Sequence, residues 1–581
     1  MNRAFLFVIF LFTLLPLIYF PNPGQDALLI PFNIFLWEVA AATIFFGGLY
    51  IYKNKVLVLP RQALLILALP LGMILSGFIT GLDRPVDWMF RLGAILMGLG
   101  FFFSLFQFQP NRRALDNAVY IILGGMLVNA IISIMQMIPS RPLEGLIAHP
   151  ETPRAVGVFM QPNLLSSAMV TAILLALYQI SSPGFGKRNS TIRLLCFATL
   201  LTAGFIVFST GSRLGLISAS ISLPFLVATR SKLLLQHRTR FAASLVILTA
   251  GCIAGGLASS GTVKAYSKLE RLIEAHSEAR PHVYRIAWEL YAEKPIAGHG
   301  IGSFQGVFHE RAAEYINARG SKPLIGHARY THPHNELLFW AVEGGSLALL
   351  GIATVVIAVL KQVWRLGWQR GGALLALSLP LTLHTQTELP FYSSIYHWLL
   401  FLFLAFMIFR PLQRYMVISR PEAALIPFPA ASMAILLATL MFGTSTFSAG
   451  RDLTRFLLYK EMNIEELRRA QDSLYFNEFA TMQTLKVLLN QDLTQGTQHW
   501  TQLYIDWMEV YLKQIPETSS FHDLALAYNH LGQKDKAVET IERGLYLFPQ
   551  HPIISGAIEK INQLSPASAA TAPDETLIPK E

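Results

Sequence analysis

Two cysteines in 581 residues, Cys196 and Cys252, both inside apolar runs, leave no material for a disulfide framework or a thiolate metal site. Charge is scarce too: only 14% of residues are charged against 53% hydrophobic, and the mean hydropathy is +0.44. A soluble chain of this length needs a far more polar surface, so lipid replaces water over most of this one. No phosphate-cradling glycine loop of the Walker type and no helical zinc-protease motif occurs, which removes two large enzyme classes. The formal charge of +10 does not indicate nucleic acid, because the Lys and Arg residues sit in short clusters between apolar runs. Met1 to Phe20 begins basic and continues apolar without a small-residue cleavage pattern, and reads as a retained first helix.

What is present is a series of apolar stretches near residues 4–20, 31–51, 63–81, 90–108, 117–138, 163–180, 194–210, 213–229, 241–260, 335–360, 371–389, 392–409 and 430–448, about thirteen spans. With the N-terminus inside, the inner connections carry Lys53, Lys55 and Arg61; Arg112 and Arg113; Lys187, Arg188 and Arg193; Arg230, Lys232, Arg238 and Arg240; Lys361, Arg365 and Arg370; and Arg410, Arg414 and Arg420. The short outer connections carry only Arg84, Arg141, Arg154 and Arg213. This bias recurs at every turn of the chain and sets the expected orientation.

Two segments fall outside the membrane. Residues 261–333 form an outer loop too long to be a passive connector. From residue 450 onward continuous apolarity gives way to amphipathic patterns. There Phe521, Leu524, Ala525, Tyr528, Gly532, Ala537, Ile541, Gly544 and Pro549 follow the spacing of a tetratricopeptide helix pair. One such pair cannot bury its own face, so helices from Leu453 to Leu512 are expected to pack against it. The expected fold is all-α: a polytopic transmembrane helical bundle of about 12–13 spans over residues 1–449, a C-terminal tetratricopeptide-like helical domain over 450–564, and a frayed end at 565–581.

Ionisable groups are costly at membrane depth, so their position is the best functional pointer in such a chain. They converge on the outer face: Arg213 after Ser209-Thr210-Gly211-Ser212, Arg280 and Arg285 in the large loop, and Thr331-His332-Pro333-His334-Asn335-Glu336 opening the next span. Arginine binds phosphate oxygens bidentately at any working pH, and a neighbouring histidine can take a proton from an attacking hydroxyl while Asn335 holds the ring or the acceptor. The set suits glycosyl transfer from a lipid diphosphate. The plainer alternative is that Arg213 reaches the headgroups and the histidines are interfacial. His332 and His334 could also begin a metal site, but no third ligand at diagnostic spacing accompanies them, which makes metal the weaker option. Gly298, Gly300 and Gly302 follow no strand-like run and read as a tight turn.

The order Gln161-Pro162-Asn163, Thr210-Gly211-Ser212-Arg213, Arg280 through Tyr284 to Lys294-Pro295-Ile296-Ala297-Gly298, His334-Asn335, and His384, Glu388, Pro390 and Tyr392 resembles the O-antigen ligase and polymerase superfamily. Within it the chain looks like the bacterial protein O-oligosaccharyltransferases of the pilin-glycosylation ligase (PglL) type. The resemblance implies an inner-membrane enzyme, with its site and C-terminal domain periplasmic, that moves a glycan from undecaprenyl diphosphate to a pilin-like protein without a metal or cofactor. It implies that His334 activates the acceptor hydroxyl while Arg213 and Arg280 hold the diphosphate. Arg285 is the alternative to Arg280, since Tyr284 stands where the family often has Trp, and His332 can share the role of His334.

Gln161 and Asn163 are candidate sugar or diphosphate contacts, or an ordinary cap for the following span. His384 and Glu388, one helical turn apart, and Tyr392 are candidate substrate contacts, with a buried structural pair as the other reading of the first two. The rivals in function are ligation of O-antigen to lipid A-core, O-antigen polymerisation, a secondary transporter, and a membrane scaffold. A transporter is expected to carry ionisable groups near the bilayer centre, where the early spans offer only Glu38.

Overall fold

A computed structural model of the chain describes residues 1–23, 27–151, 153–258, 279–319, 329–459, 463–549 and 551–556. The predicted frayed end at 565–581 lies outside the described residues, as do 261–278 and 320–328 of the predicted outer loop.

Inside a bilayer no water is available to bond a bare backbone, so the apolar runs fold as helices. They are α1 (Asn2–Leu14), α2 (Pro31–Asn54), α3 (Ala63–Thr80), α4 (Pro85–Gln107), α5 (Arg112–Gln136), α6 (Pro162–Ile180), α7 (Ser190–Ser209), α8 (Arg213–Gln236) and α9 (Arg238–Ala258). The long connection between α9 and the next span contributes α10 (Arg280–Glu293) and α11 (Phe304–Arg319). Then come α12 (Glu336–Gly367), α13 (Ala373–His384), α14 (Ile395–Phe409) and α15 (Pro427–Tyr459), and the C-terminal helices α16 (Asn477–Gln495), α17 (Thr501–Gln514), α18 (Thr518–His530) and α19 (Lys534–Leu547).

Among the described residues, eleven helical stretches are long and apolar enough to cross a membrane, and α1 is a shorter apolar helix. The chain is a multi-pass, all-α membrane protein. One stretch, Glu336–His384, holds both α12 and α13: its 49 residues would reach about 74 Å as one helix, more than two bilayer cores. It is interrupted at Gly367, whose φ of 75° only glycine adopts without strain. Leu64, Phe78, Val246 and Trp364 point outward from the bundle, as lipid-facing side chains should.

The two ends of the bundle differ. At one end the basic connections touch one another. Strand β1 (Val56–Leu59) pairs antiparallel with β2 (Arg414–Val417), and the Gln107 side chain binds both the N–H and the C=O of Val58 (3.0 and 2.7 Å). Nearby, Arg188 meets Asp116 at 2.5 Å, Arg230 donates to Ser181 (2.9 Å), and Gln62 donates to Gln362 (3.0 Å).

The opposite end carries α10, α11 and the C-terminal helices. Helix α15 continues past the predicted boundary at residue 450 and packs Leu453 and Phe456 against Leu467, Ala470 and Phe476. Helices α18 and α19 form a hairpin whose turn holds Gly532 at φ 75°; a Cβ on Gly544 would sit 3.2 Å from Phe521, which is why a small residue is needed there. Tyr504, Met508, Leu524, Ala525 and Ile541 complete this core, which reaches Ala313 of α11. Arg84, at the start of α4, binds Asp87 and reaches Gln514 and Glu478 (both 2.8 Å), and Arg543 pairs with Glu310.

Continuous apolarity conceals a break in α12. At Gly345 the backbone turns to φ 60°, ψ −160°, and the segment 295–300 feeds its own backbone into the gap. His299 and Gly300 donate to the carbonyls of Val342 and Glu343 (2.8 and 3.0 Å), while Ser346 and Leu347 donate to Pro295 and Ile296 (2.8 and 3.1 Å). Gly298, Gly300 and Gly302 all have positive φ, and a Cβ on Gly298 would come within 2.5 Å of the Glu343 backbone. The glycine run is therefore a turn that lets two backbones meet.

Candidate functional site

Four helices begin at this end within one connected patch. Pro162 opens α6 with a φ already suited to a helix, Ser212 caps α8 by accepting from Gly215 N–H (3.1 Å), and Asn335 caps α12 by accepting from Leu338 N–H (3.0 Å). Arg280 opens α10, followed by Pro281. Helix N-termini expose unpaired N–H groups and the positive end of the dipole, so their grouping favours an anion.

The turn after α13 binds these starts together. Glu388 accepts from Asn163 through Oε1 (2.6 Å) and from Gln161 through Oε2 (3.1 Å). His384 Nε2 lies 3.1 Å from the same Oε2, and its Nδ1 lies 2.9 Å from Ser167 Oγ. Asn163 Oδ1 accepts from the Ser212 hydroxyl (2.7 Å), which ties the start of α6 to the residue before Arg213. Burial alone would raise the Glu388 carboxyl; the hydrogen bonds from His384 and Asn163 and the charge on Arg280 outweigh it and hold the group below the usual carboxylate range. Gln161, Asn163, His384 and Glu388 thus spend most of their polar atoms on one another and act as an organising network. Gln161 Oε1 is buried with no partner among the described residues.

The strap 329–335 crosses the patch. His332 and His334 stand with ring centroids 4.5 Å apart, and His334 N–H donates to His332 Nδ1 (3.1 Å). His334 has φ 54°, a conformation that a non-glycine residue keeps only when its surroundings hold it. Two contacts do so: Asn335 donates to the Gln386 carbonyl (3.2 Å), and Tyr284 O–H donates to the His334 and Gln386 carbonyls (both 3.4 Å). Burial drives the His332 imidazole down to about 4, reinforced by His334. Burial and then the Arg280 guanidinium lower His334, against a smaller opposing pull from Glu388. Both rings are therefore neutral near pH 7, and His334 Nδ1 is buried without a partner among the described residues.

The two loop arginines separate cleanly. Arg280 acts on His334, Glu388 and Tyr330. Arg285 lies about 140° further round α10. It pairs with Glu289 at 2.9 Å on the exposed face, its guanidinium 5.6 Å from the Tyr315 ring. Tyr392 faces another way, with its ring 5.8 Å from that of Phe339 and beside Arg91. Burial, then the Glu336 carboxylate, pushes its hydroxyl up.

Sequence reasoning passed over Arg91 and Glu343. They form a buried ion pair beneath the strap; Arg91 lies 4.5 Å over the Phe339 ring, and Glu343 Oε1 accepts from Phe304 N–H (3.1 Å). An acid inside the apolar run 335–360 was the available signal.

Known families align with this layout. Residues 198–353 match the O-antigen ligase family model, which takes in Arg213, Arg280 and His334. Residues 373–554 match the model described as virulence factor membrane-bound polymerase, C-terminal, which takes in His384, Glu388, Tyr392 and helices α16–α19. Gln161 and Asn163 precede both matches. No curated protein matches the chain. The chain carries an O-antigen ligase family domain followed by a membrane-bound polymerase C-terminal domain, and these point to a membrane enzyme of the O-antigen ligase and polymerase kind.

Proposed function

We propose that the protein transfers a pre-assembled oligosaccharide from undecaprenyl diphosphate to a Ser or Thr hydroxyl of a periplasmic protein such as a pilin. The observation that carries this reading is the neutral His332–His334 pair beside Arg280, set among helix N-termini at the end of the bundle opposite the basic connections. By the positive-inside bias that end is periplasmic, in a bacterial inner membrane. Arg213 and Arg280 hold the diphosphate. His334 takes the proton from the acceptor hydroxyl, whose oxygen attacks the anomeric carbon; the bond from that carbon to the diphosphate oxygen breaks, and undecaprenyl diphosphate leaves with the electron pair. The leaving group is a stable anion, so no nucleotide is needed. The C-terminal helices, read as degenerate tetratricopeptide-like repeats docked beside the site, offer a platform for a protein acceptor.

One observation favours a second reading: the C-terminal match to a membrane-bound polymerase suits joining of glycan units to one another. Intact masses of periplasmic proteins, compared with and without the chain alongside the lipopolysaccharide ladder, separate the two. A glycan-sized mass shift that depends on the chain is expected. A changed ladder with unmodified proteins would move the assignment to lipid ligation or polymerisation.

The arginine geometry gives a sharper expectation. Arg280→Ala should lower transfer by about a hundredfold or more, the usual effect of removing a charge clamp from a reacting centre. Arg285→Ala, on the exposed face with Glu289, should stay within about twofold. The rate of appearance of the mass shift in cells at matched protein level measures both. Equal losses in the two variants would refute the assignment.

A further inference from the structure

The strap carrying His332 and His334 is held at both ends. Its far end, Asn335, is fixed to the turn after α13. Its near end is held by α11 and the C-terminal helices. Arg329 reaches Gln305 (3.0 Å) and Glu517 (3.4 Å), and Tyr330 N–H donates to Nε2 of His309 (3.2 Å). His309 is only 3% exposed. Its ring lies 4.9 Å from that of Phe548, which follows α19, while the adjoining Phe308 packs 5.6 Å from Tyr330. The Tyr330 ring stands edge-on to His334, with centroids 6.2 Å apart at 87°.

A neutral imidazole has one acceptor nitrogen, and here it is spent on the half-buried backbone N–H of Tyr330. That bond fixes the strap four residues before the strained φ of His334. Without it the near end keeps only the exposed Arg329 hydrogen bonds, and the stretch between them and the Tyr284 and Asn335 anchors gains freedom to shift the His334 ring. Beside the Arg329–Glu517 pair, the same imidazole is a point where the C-terminal helices, through Phe548, meet the segment that carries the site.

We propose that His309 is a positioning residue for His334, and that through Phe548 and His309 the C-terminal helices set the orientation of the strap. The inference rests on the proposed role of His334. Hydrogen exchange of the full-length protein in detergent micelles tests it without any transfer reaction. His309→Ala should speed exchange of the 329–335 amides about tenfold, the effect of losing one buried hydrogen bond, while α16–α19 stay protected. His309→Gln, whose side-chain oxygen can accept the same N–H, should stay within about twofold of the parent. Phe548→Ala should speed the same amides although the hydrogen bond is not touched directly.

Unchanged exchange at 329–335 in both Ala variants, or general loss of protection across α16–α19 in His309→Ala, overturns the proposal. A parallel cell assay of His334→Ala keeps the two questions apart. Blocked transfer with no coupling in the exchange data sinks this inference alone, whereas normal transfer with coupling intact removes the proposed catalytic role of His334 and leaves the coupling standing.

Discussion

Replacing His334 with Ala is expected to abolish glycan transfer while leaving the protein at its normal level in the membrane. A positioned general base contributes about a hundredfold to ten-thousandfold, and here no neighbour can take over. His332 is the nearest candidate, but its Nδ1 already accepts from the His334 backbone, and its imidazole is driven down to about 4, which makes it the weaker base. His332→Ala should therefore retain measurable transfer, its loss coming from a loosened strap rather than a missing base.

The pH dependence has a definite sign. His334 acts as a base only when neutral, and burial together with Arg280 moves its pKa below the ordinary 6.5. Transfer should hold through pH 7 and fall as the pH drops below 6.5 through the lowered value. An acid limb centred at or above 6.5, or an unchanged mass shift in His334→Ala, would remove His334 from the reaction.

The membrane architecture was legible because a bilayer imposes a simple rule on sequence: a span must be a long apolar run, and its flanks must carry the charge bias. The residues that meet at this end of the bundle stand out by type, since His, Arg and Asn at the ends of spans are conspicuous against leucine and phenylalanine. Their roles were less so. Glu388 and His384 read as a pair one turn apart, yet that Glu388 also gathers Gln161 and Asn163 from more than two hundred residues away depends on tertiary packing. Likewise Asn335 reads as a residue holding a ring or an acceptor, whereas its amide caps α12 and holds the Gln386 carbonyl. The break at Gly345 escaped notice because hydropathy carries no record of φ, and the inserted segment 295–300 supplies the missing backbone partners from elsewhere in the chain.

The largest stability effect is expected beneath that break. Glu343 is 1% exposed and Arg91 18%, and the pair joins α4 to α12 while Glu343 also accepts from the first residue of α11. Glu343→Ala leaves the Arg91 guanidinium buried without its counter-charge and strips the Phe304 N–H of its acceptor, a change worth about 3–5 kcal/mol in buried pairs. Thermal unfolding of the purified protein in detergent should shift sharply downward. The double variant Arg91→Met with Glu343→Met removes both charges and fills similar volume, so it should recover most of the loss, because the penalty belongs to the unpaired charge rather than to the missing attraction. It should still transfer poorly, since the Phe304 N–H that starts α11 loses its side-chain acceptor in either variant. Recovery of stability without recovery of transfer would separate what holds this end of the bundle together from what aims it, whereas a single variant that melts like the parent would show that the pair does not hold it together.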